Sequence, residues 1–198
     1  YAPWQEVQLI NGLGDLVEDG LVSEIGVSNM GPERLESMHN RLKLRGLKLK
    51  SLQIQFSLLS PSLNKIFKTI DTCKNLNIEL IAYSPLALGV LAIPPEVEPI
   101  SMTLPRKTIF NRLLPSSQKL RSCMKSIAKK RGVSQSQVAL NWCRSYGAMP
   151  IVGIRDPLQA IDAAAALNWQ LSPTEKKELT LLSQDCEAKM PNNPFQSR

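Results

Sequence analysis

The chain has 198 residues, 43% hydrophobic and 5% aromatic, with 24 Lys and Arg against 17 Asp and Glu for a formal net charge of +7. This is ordinary globular composition, which excludes disordered, collagen-like and coiled-coil classes. No apolar run approaches the roughly 18 residues of a membrane helix, so membrane insertion is not expected. The length suits one domain, or part of a single barrel of about 250 residues.

In chain order, helical and strand periods alternate. Val7, Ile10, Leu13 and Val17 keep helical spacing up to Gly20, and Leu21–Val27 reads as a strand. Pro32 opens a helix whose Leu35, Met38 and Leu42 face one way, and Gly46 ends it. A strand over Leu49–Leu58 follows, then a helical stripe of Leu63, Ile66, Phe67, Ile70 and Cys73, then the nearly all-apolar strand Ile78–Tyr83. Such strands suit a parallel sheet buried on both faces. Ala87–Pro115 carries five prolines and reads as a long loop. Helices resume at Leu120, Cys123, Met124 and Ile127 and again at Ser134, where Ser134-Gln-Ser-Gln137 matches a capping box. A short strand Met149–Val152, a helix Pro157–Leu167 and a last helix opened by Ser172-Pro-Thr-Glu175 complete the pattern, with no second domain.

The densest basic stretch, Arg41–Lys50, alternates cations with leucine and lacks an aromatic to stack a base. It reads as a solvated helix end leading into a strand, and a nucleic-acid partner is not expected. Cys73, Cys123, Cys143 and Cys186 lie apart in apolar helical patterns, as free thiols rather than a disulfide framework or a zinc site. The chain opens at Tyr1 without Met or a charged leader, so any targeting segment is expected outside it. Strand ends recur near residues 27, 55 and 83, at intervals of 28, the length of a compact βα unit. Four such strands cannot close an eight-stranded barrel: either the sheet is open or half a barrel is missing.

Four segments at strand ends, Gly26-Val-Ser-Asn29, Gln53-Ile-Gln-Phe-Ser57, Ala82-Tyr-Ser-Pro-Leu86 with Gly89, and Pro150-Ile-Val-Gly153 with Arg155 and Gln159, resemble in order and spacing those of aldo-keto reductases. Tyr1-Ala-Pro3, Gly31-Pro32, Gln55-Phe-Ser-Leu-Leu-Ser60, Asn141-Trp-Cys143 and the ending Phe195-Gln-Ser-Arg198 are most similar to the plastid, pyridoxal-reducing branch of plants. The resemblance covers essentially the whole chain. It implies an α/β fold of the (β/α)8 barrel type, with residues 1–198 as the C-terminal half of one NADP-binding barrel, in the chloroplast.

The resemblance further implies an NADPH site. Ser28, Asn29 and Gln53 would meet the nicotinamide carboxamide, and Tyr83 would stack on the ring. Ser84 and Leu86 would lie along the pyrophosphate; Gly153, Arg155 and Gln159 belong to the adenine end. Taken alone, Ser28 and Asn29 could equally cap the following helix, and Tyr83 could fill a barrel mouth. Where the family carries Thr-Gly-Lys-Tyr, this chain has Ala92-Ile93-Pro94. At the adenine end Asp156 takes a Ser/Thr position, Ile161 that of a glutamate and Ala163 that of an asparagine. A carboxylate facing a 2′-phosphate repels it by roughly 1 to 4 kcal/mol, so a weakened site is expected.

The family's catalytic tyrosine, lysine, aspartate and histidine normally precede the matched half, so no catalytic residue is assigned here. Of the remaining candidates, Tyr1 is terminal, Tyr146 precedes a glycine in a loop, and His39 reads as a satisfied boundary histidine. Two readings follow. In one, the chain is half of an NADPH-dependent reductase acting on pyridoxal. In the other, the fold has lost its chemistry and is a structural or regulatory subunit of a larger assembly. Both require the missing N-terminal half, a second copy or another protein to close the barrel.

Overall fold

The computed structural model describes residues 5–97 and 104–192. Four strands, β1 (Ile25–Ser28), β2 (Leu49–Gln55), β3 (Glu79–Tyr83) and β4 (Ala148–Ile151), are hydrogen-bonded neighbours in chain order. β1 and β2 are parallel, with Ser28 opposite Gln53. The helices are α1 (Glu6–Glu18), α2 (Pro32–Leu44), α3 (Leu63–Asn75), α4 (Leu104–Ser116), α5 (Gln118–Arg131), α6 (Gln135–Arg144), α7 (Pro157–Ala165) and α8 (Pro173–Asp185). The chain clusters into two compact units. The first includes residues up to Ile54 and Asn64–Ile81; the second comprises Gln55–Leu63 and Ala82–Asn192.

In the first unit, the α2 stripe Leu35, Met38 and Leu42 is completely buried, as its spacing predicts, and Ile66, Ile70 and Cys73 bury the matching face of α3. Arg45, just past α2, ties it to α1: its Nη1 donates to the Asn11 carbonyl at 2.7 Å and its Nη2 to Asp15 Oδ1 at 2.8 Å. In the second unit α6 is buried almost all round, from Gln135 through Cys143 with only Ser136 less than buried. Helices of that kind must be wrapped by other elements, and α6 packs against α5, α7, β4 and the 3₁₀ segment Ala87–Ala92. Trp142, fully buried on α6, stacks at 4.9 Å on Phe56 and donates its Nε1–H to Thr180 Oγ1 at 3.0 Å.

Several sequence expectations change. Strand β1 begins at Ile25 rather than Leu21, because Leu21 (71% exposed) and Val22 are apolar but face solvent. β2 stops at Gln55, since the buried turn after it is folded on serines: the Ser57 N–H donates to Ser60 Oγ at 2.8 Å. The long loop expected over Ala87–Pro115 instead holds the 3₁₀ segment and α4. Pro105 is the second residue of α4, where no backbone N–H is required, and Pro115 falls in its last turn, one residue before the helix ends at Ser116. Pro99 lies outside the described residues. The Ser134 cap is half of the expected box: Ser134 Oγ accepts from the Gln137 N–H at 3.1 Å, but the Gln137 amide donates to Asp162 at 2.7 Å. α7 ends at Ala165 and passes into a 3₁₀ turn, Ala166–Asn168. The strands are not buried on both faces, because Met149 and Ile151 of β4 are 53% and 45% exposed.

Cys73, Cys143 and Cys186 are buried, Cys123 is half-buried, and all are free thiols. Burial pushes the Cys73 thiol up to about 11; burial, aided by the Glu178 carboxylate, pushes Cys123 to about 12, so both stay protonated and inert. Among the described residues, no cluster of His, Cys, Asp and Glu could hold a metal, and no helix is long and apolar enough to cross a membrane.

The α8 capping box forms in full. The Ser172 N–H donates to Glu175 Oε2 at 2.8 Å, and Ser172 Oγ accepts from the Glu175 N–H at 3.2 Å. The same carboxylate takes a two-pronged contact from Arg131, Nε to Oε1 at 3.0 Å and Nη2 to Oε2 at 2.5 Å. Arg131 first, and the Ser172 hydrogen bonds after it, pull the Glu175 carboxyl down to about 2 from 4.5 against the opposing effect of burial. A carboxyl depressed in the folded state contributes stability above its unfolded pKa, and that contribution is lost as pH falls from about 4.5 towards 2. Discounted for solvent screening, it is about 1 to 2 kcal/mol. Denaturant melts from pH 6 to about 2 should show Glu175→Gln less stable than wild type at pH 6 and the difference shrinking towards pH 2; parallel curves would show that Glu175 contributes no such term.

Candidate functional site

Polar side chains in the second unit converge on a pocket of about 900 Å³, wide enough for a nucleotide-sized ligand. Its walls come from the end of β3 (Ser84, Leu86), the 3₁₀ segment, α4, α6, the turn after β4 and α7. The β3 side is strained: Ser84, Ala87 and Leu88 have φ of +53°, +48° and +59°, a region that side chains other than glycine rarely adopt. Such clustering of left-handed residues is characteristic of ligand-binding turns.

Five of the nine residues expected from sequence, Ser84, Leu86, Gly153, Arg155 and Gln159, line this one pocket. Tyr83 is half-buried at the end of β3 and is not in the lining. Ser28, Asn29 and Gln53 belong to the first unit and gather at adjoining strand ends. Ser28 faces Gln53 in register, and the Asn29 N–H, at φ +57°, donates to the Gln53 carbonyl at 2.9 Å. The helix-cap alternative for Ser28 and Asn29 is excluded, because Gly31 is the N-cap of α2 and Pro32 its first residue.

Arg106, from the stretch read as loop, is the pocket residue that the sequence did not reveal. Its Nη2 donates to the Leu88 carbonyl at 2.7 Å, its guanidinium lies 5.0 Å from the Phe110 ring centroid, and its Nε is buried without an acceptor. Gly89 makes room for it: a Cβ there would lie 3.1 Å from Arg106 Nη2. Arg155 supplies a second cation, while its backbone N–H donates to Gln159 Oε1 at 3.0 Å. The pocket thus combines two arginines, serine hydroxyls and an apolar floor, which suits a ligand with anionic and flat apolar parts.

The departures at the adenine end take a different form from that expected. Asp156 is not in the lining; it is the N-cap of α7, its Oδ1 accepting from the Gln159 N–H at 3.0 Å. Ile161 is 67% exposed and points away, whereas its neighbour Asp162 lines the pocket and accepts from Ser134 Oγ at 2.6 Å and Gln137 Nε2 at 2.7 Å. Ala92 lines the pocket, and the Ile93 and Pro94 carbonyls each accept from Arg121 Nη1 at 3.0 Å.

Among the described residues, the lining contains no tyrosine, histidine or lysine. Tyr146 is a packing residue: its ring meets Phe56 edge-on at 5.8 Å, Lys176 Nζ sits 3.8 Å from its centroid, and its hydroxyl is 2.9 Å from Thr180 Oγ1. Burial raises its pKa, opposed by the Thr180 hydrogen bond. His39 is half-buried as expected, but its Nδ1 is buried with no hydrogen-bond partner, so it is not satisfied. Tyr1 lies outside the described residues.

A Gly89→Ala substitution should lower stability by about 1 to 2 kcal/mol, because alanine would be forced to a left-handed φ, here +99°, while its methyl crowds Arg106. Denaturant melting checks this, and a neutral result would show that the turn relaxes to another conformation.

A sequence model described as the Aldo/keto reductase family matches residues 4–183. The chain is 42% identical over 199 residues to the chloroplastic pyridoxal reductase of Arabidopsis thaliana, covering 100% of this chain and 54% of that protein. It is 28% identical to the versiconal hemiacetal acetate reductase of Aspergillus parasiticus, with 85% and 50% covered. It spans about half the length of these relatives. The solved structure of a glycerol dehydrogenase from Gluconobacter oxydans superposes with a TM-score of 0.66 at 21% identity, covering 96% of this chain and 57% of that one, and so shares its fold.

Proposed function

Since the chain belongs to the aldo/keto reductase family, we propose that it is the nucleotide-binding, C-terminal half of one NADPH-dependent reductase barrel of the pyridoxal reductase type. The observation that carries this reading is the pairing of Arg106 and Arg155 in one pocket with Ser84, Leu86, Gly153 and Gln159. The pocket volume, the orphaned Arg106 Nε and the space above Gly89 suit a dinucleotide phosphate group. Ser84 and Leu86 would border the pyrophosphate, and the two guanidiniums would neutralise its charge. By family likeness, Tyr83 supports the nicotinamide ring. NADPH, when bound, supplies the hydride. The general acid is not assigned to any residue of this chain, since Tyr146 is committed to packing. A plastid location is proposed from the likeness to the Arabidopsis protein.

A second reading, a non-catalytic subunit of a larger assembly, rests on the apolar residues along and after β4, which it shares with the first. Met149, Ile151, Ile154, Leu158 and Ile161 are between 45% and 77% exposed. Apolar surface of this kind calls for a cover. Under the first reading the rest of the barrel supplies it, and under the second another protein does.

Fluorescence titration of the full-length protein should show NADPH binding, weakened about tenfold or more by either Arg106→Met or Arg155→Met, as for loss of a charged hydrogen bond. Absence of binding by the wild type overturns the nucleotide reading. Residues 1–198 alone should not reduce pyridoxal with NADPH, since loss of a general acid typically costs about 10² to 10⁴ in rate. Turnover by that segment would locate an acid within it.

A further inference from the structure

One buried cation in the second unit has no part in the function proposed above. Arg121, on α5, is 4% exposed, and its hydrogen bonds go to neutral groups: Nε to Ser117 Oγ at 3.3 Å, Nη1 to the Ile93 and Pro94 carbonyls at 3.0 Å each, and Nη2 to the Leu114 carbonyl at 3.0 Å. The acidic group that acts on it electrostatically, Glu96, is hydrogen-bonded to Lys125. A guanidinium buried without a paired carboxylate is costly, so its retention asks for a mechanical reason.

Its acceptors supply one. Ile93 and Pro94 directly continue the strained 3₁₀ wall that brings Leu88, Gly89 and Ala92 to the pocket. Leu114 lies in the last turn of α4, whose first half brings Arg106 and Ile109 to the same pocket, and Ser117 follows it as the N-cap of α5. Ser117 is itself fixed, its Oγ donating to the Leu113 carbonyl at 2.7 Å. Gln135 reinforces the tie, its Nε2 donating to the Leu91 and Ile93 carbonyls at 3.1 and 3.3 Å. On the pocket side the same two walls meet again where Arg106 donates to the Leu88 carbonyl. The planar fork of an arginine can hold two backbone segments at a set spacing, which the single ammonium of a lysine cannot.

We infer that Arg121 is a positioning residue that clamps the 88–94 wall to the end of α4, so that the pocket stands open to its ligand without a loop having to close. The clamp takes hold at Ile93 and Pro94, within the Ala92–Pro94 stretch that departs from the family pattern. The ligand rests on the nucleotide reading; the clamp itself does not.

Hydrogen exchange of the full-length protein tests it, with Arg121→Met, Arg121→Lys and, as a control, Thr180→Val, which disturbs the Trp142 and Tyr146 hydrogen bonds of the same unit. In Arg121→Met, amides 88–93 should exchange at least about tenfold faster while those of α6 keep their protection, with Arg121→Lys intermediate. The Kd for NADPH should rise about tenfold in Arg121→Met. Thr180→Val should lower the melting temperature and leave amides 88–93 unchanged. Unchanged exchange at 88–93 in Arg121→Met, or acceleration spread evenly over α5, α6 and α8, overturns the clamp. Should Arg121→Met not fold, the same comparison in Arg121→Lys decides. A wild type that binds neither NADPH nor NADH refutes the nucleotide reading, and the exchange result still decides the clamp.

Discussion

Burial of α6 is the constraint on which the second unit depends. A helix apolar on nearly every face has no solvent side, so α5, α7, β4 and the 3₁₀ segment must pack around it. Its polar side chains, carried into the interior with it, cannot be left unpaired. Gln135 meets that demand in part, its Nε2 donating to the carbonyls of the pocket wall while its Oε1 is buried without a donor among the described residues; Gln137 meets it on Asp162, and the Asn141 amide donates to the Ala166 carbonyl at 3.0 Å. The hydrogen bonds that satisfy the buried helix are therefore the ones that place the pocket's borders.

Charge in the pocket follows the same logic of neutral partners. Arg106 donates to the Leu88 carbonyl rather than to an acid. A carboxylate partner would cancel the cation, whereas a carbonyl holds it in place and leaves its charge available. Asp156 is engaged at the N-terminus of α7, where the helix dipole favours it, and the carboxylate that does line the pocket, Asp162, accepts from Ser134 and Gln137.

The first unit depends more on apolar periodicity. Leu35, Met38 and Leu42 need only their spacing to define a buried face, and the strand ends beside them bring Ser28 and Gln53 opposite one another by register alone. Arg45 then joins α1 to α2 through acids of α1, a surface arrangement that adds orientation more than stability.

What was legible in the sequence was whatever depends on local period or local chemistry. The α2 and α3 stripes and the Ser172–Glu175 box each follow from residues within a few positions of one another. The five residues that share the pocket were legible through their likeness to a family pattern, not through their chemistry. What only the tertiary structure decided lies where distant segments meet. Pro105 and Pro115 looked like breakers of one long loop, but they are the second and the second-to-last residues of α4, and with α4 came Arg106. Whether Ile161 or Asp162 enters the pocket turns on about 100° of helix rotation, which packing sets. The Gln137 side chain chose Asp162 over its own helix cap because an acceptor 25 residues away had been brought within 2.7 Å. A local pattern can state which groups need partners; only the folded chain determines which partners come within reach.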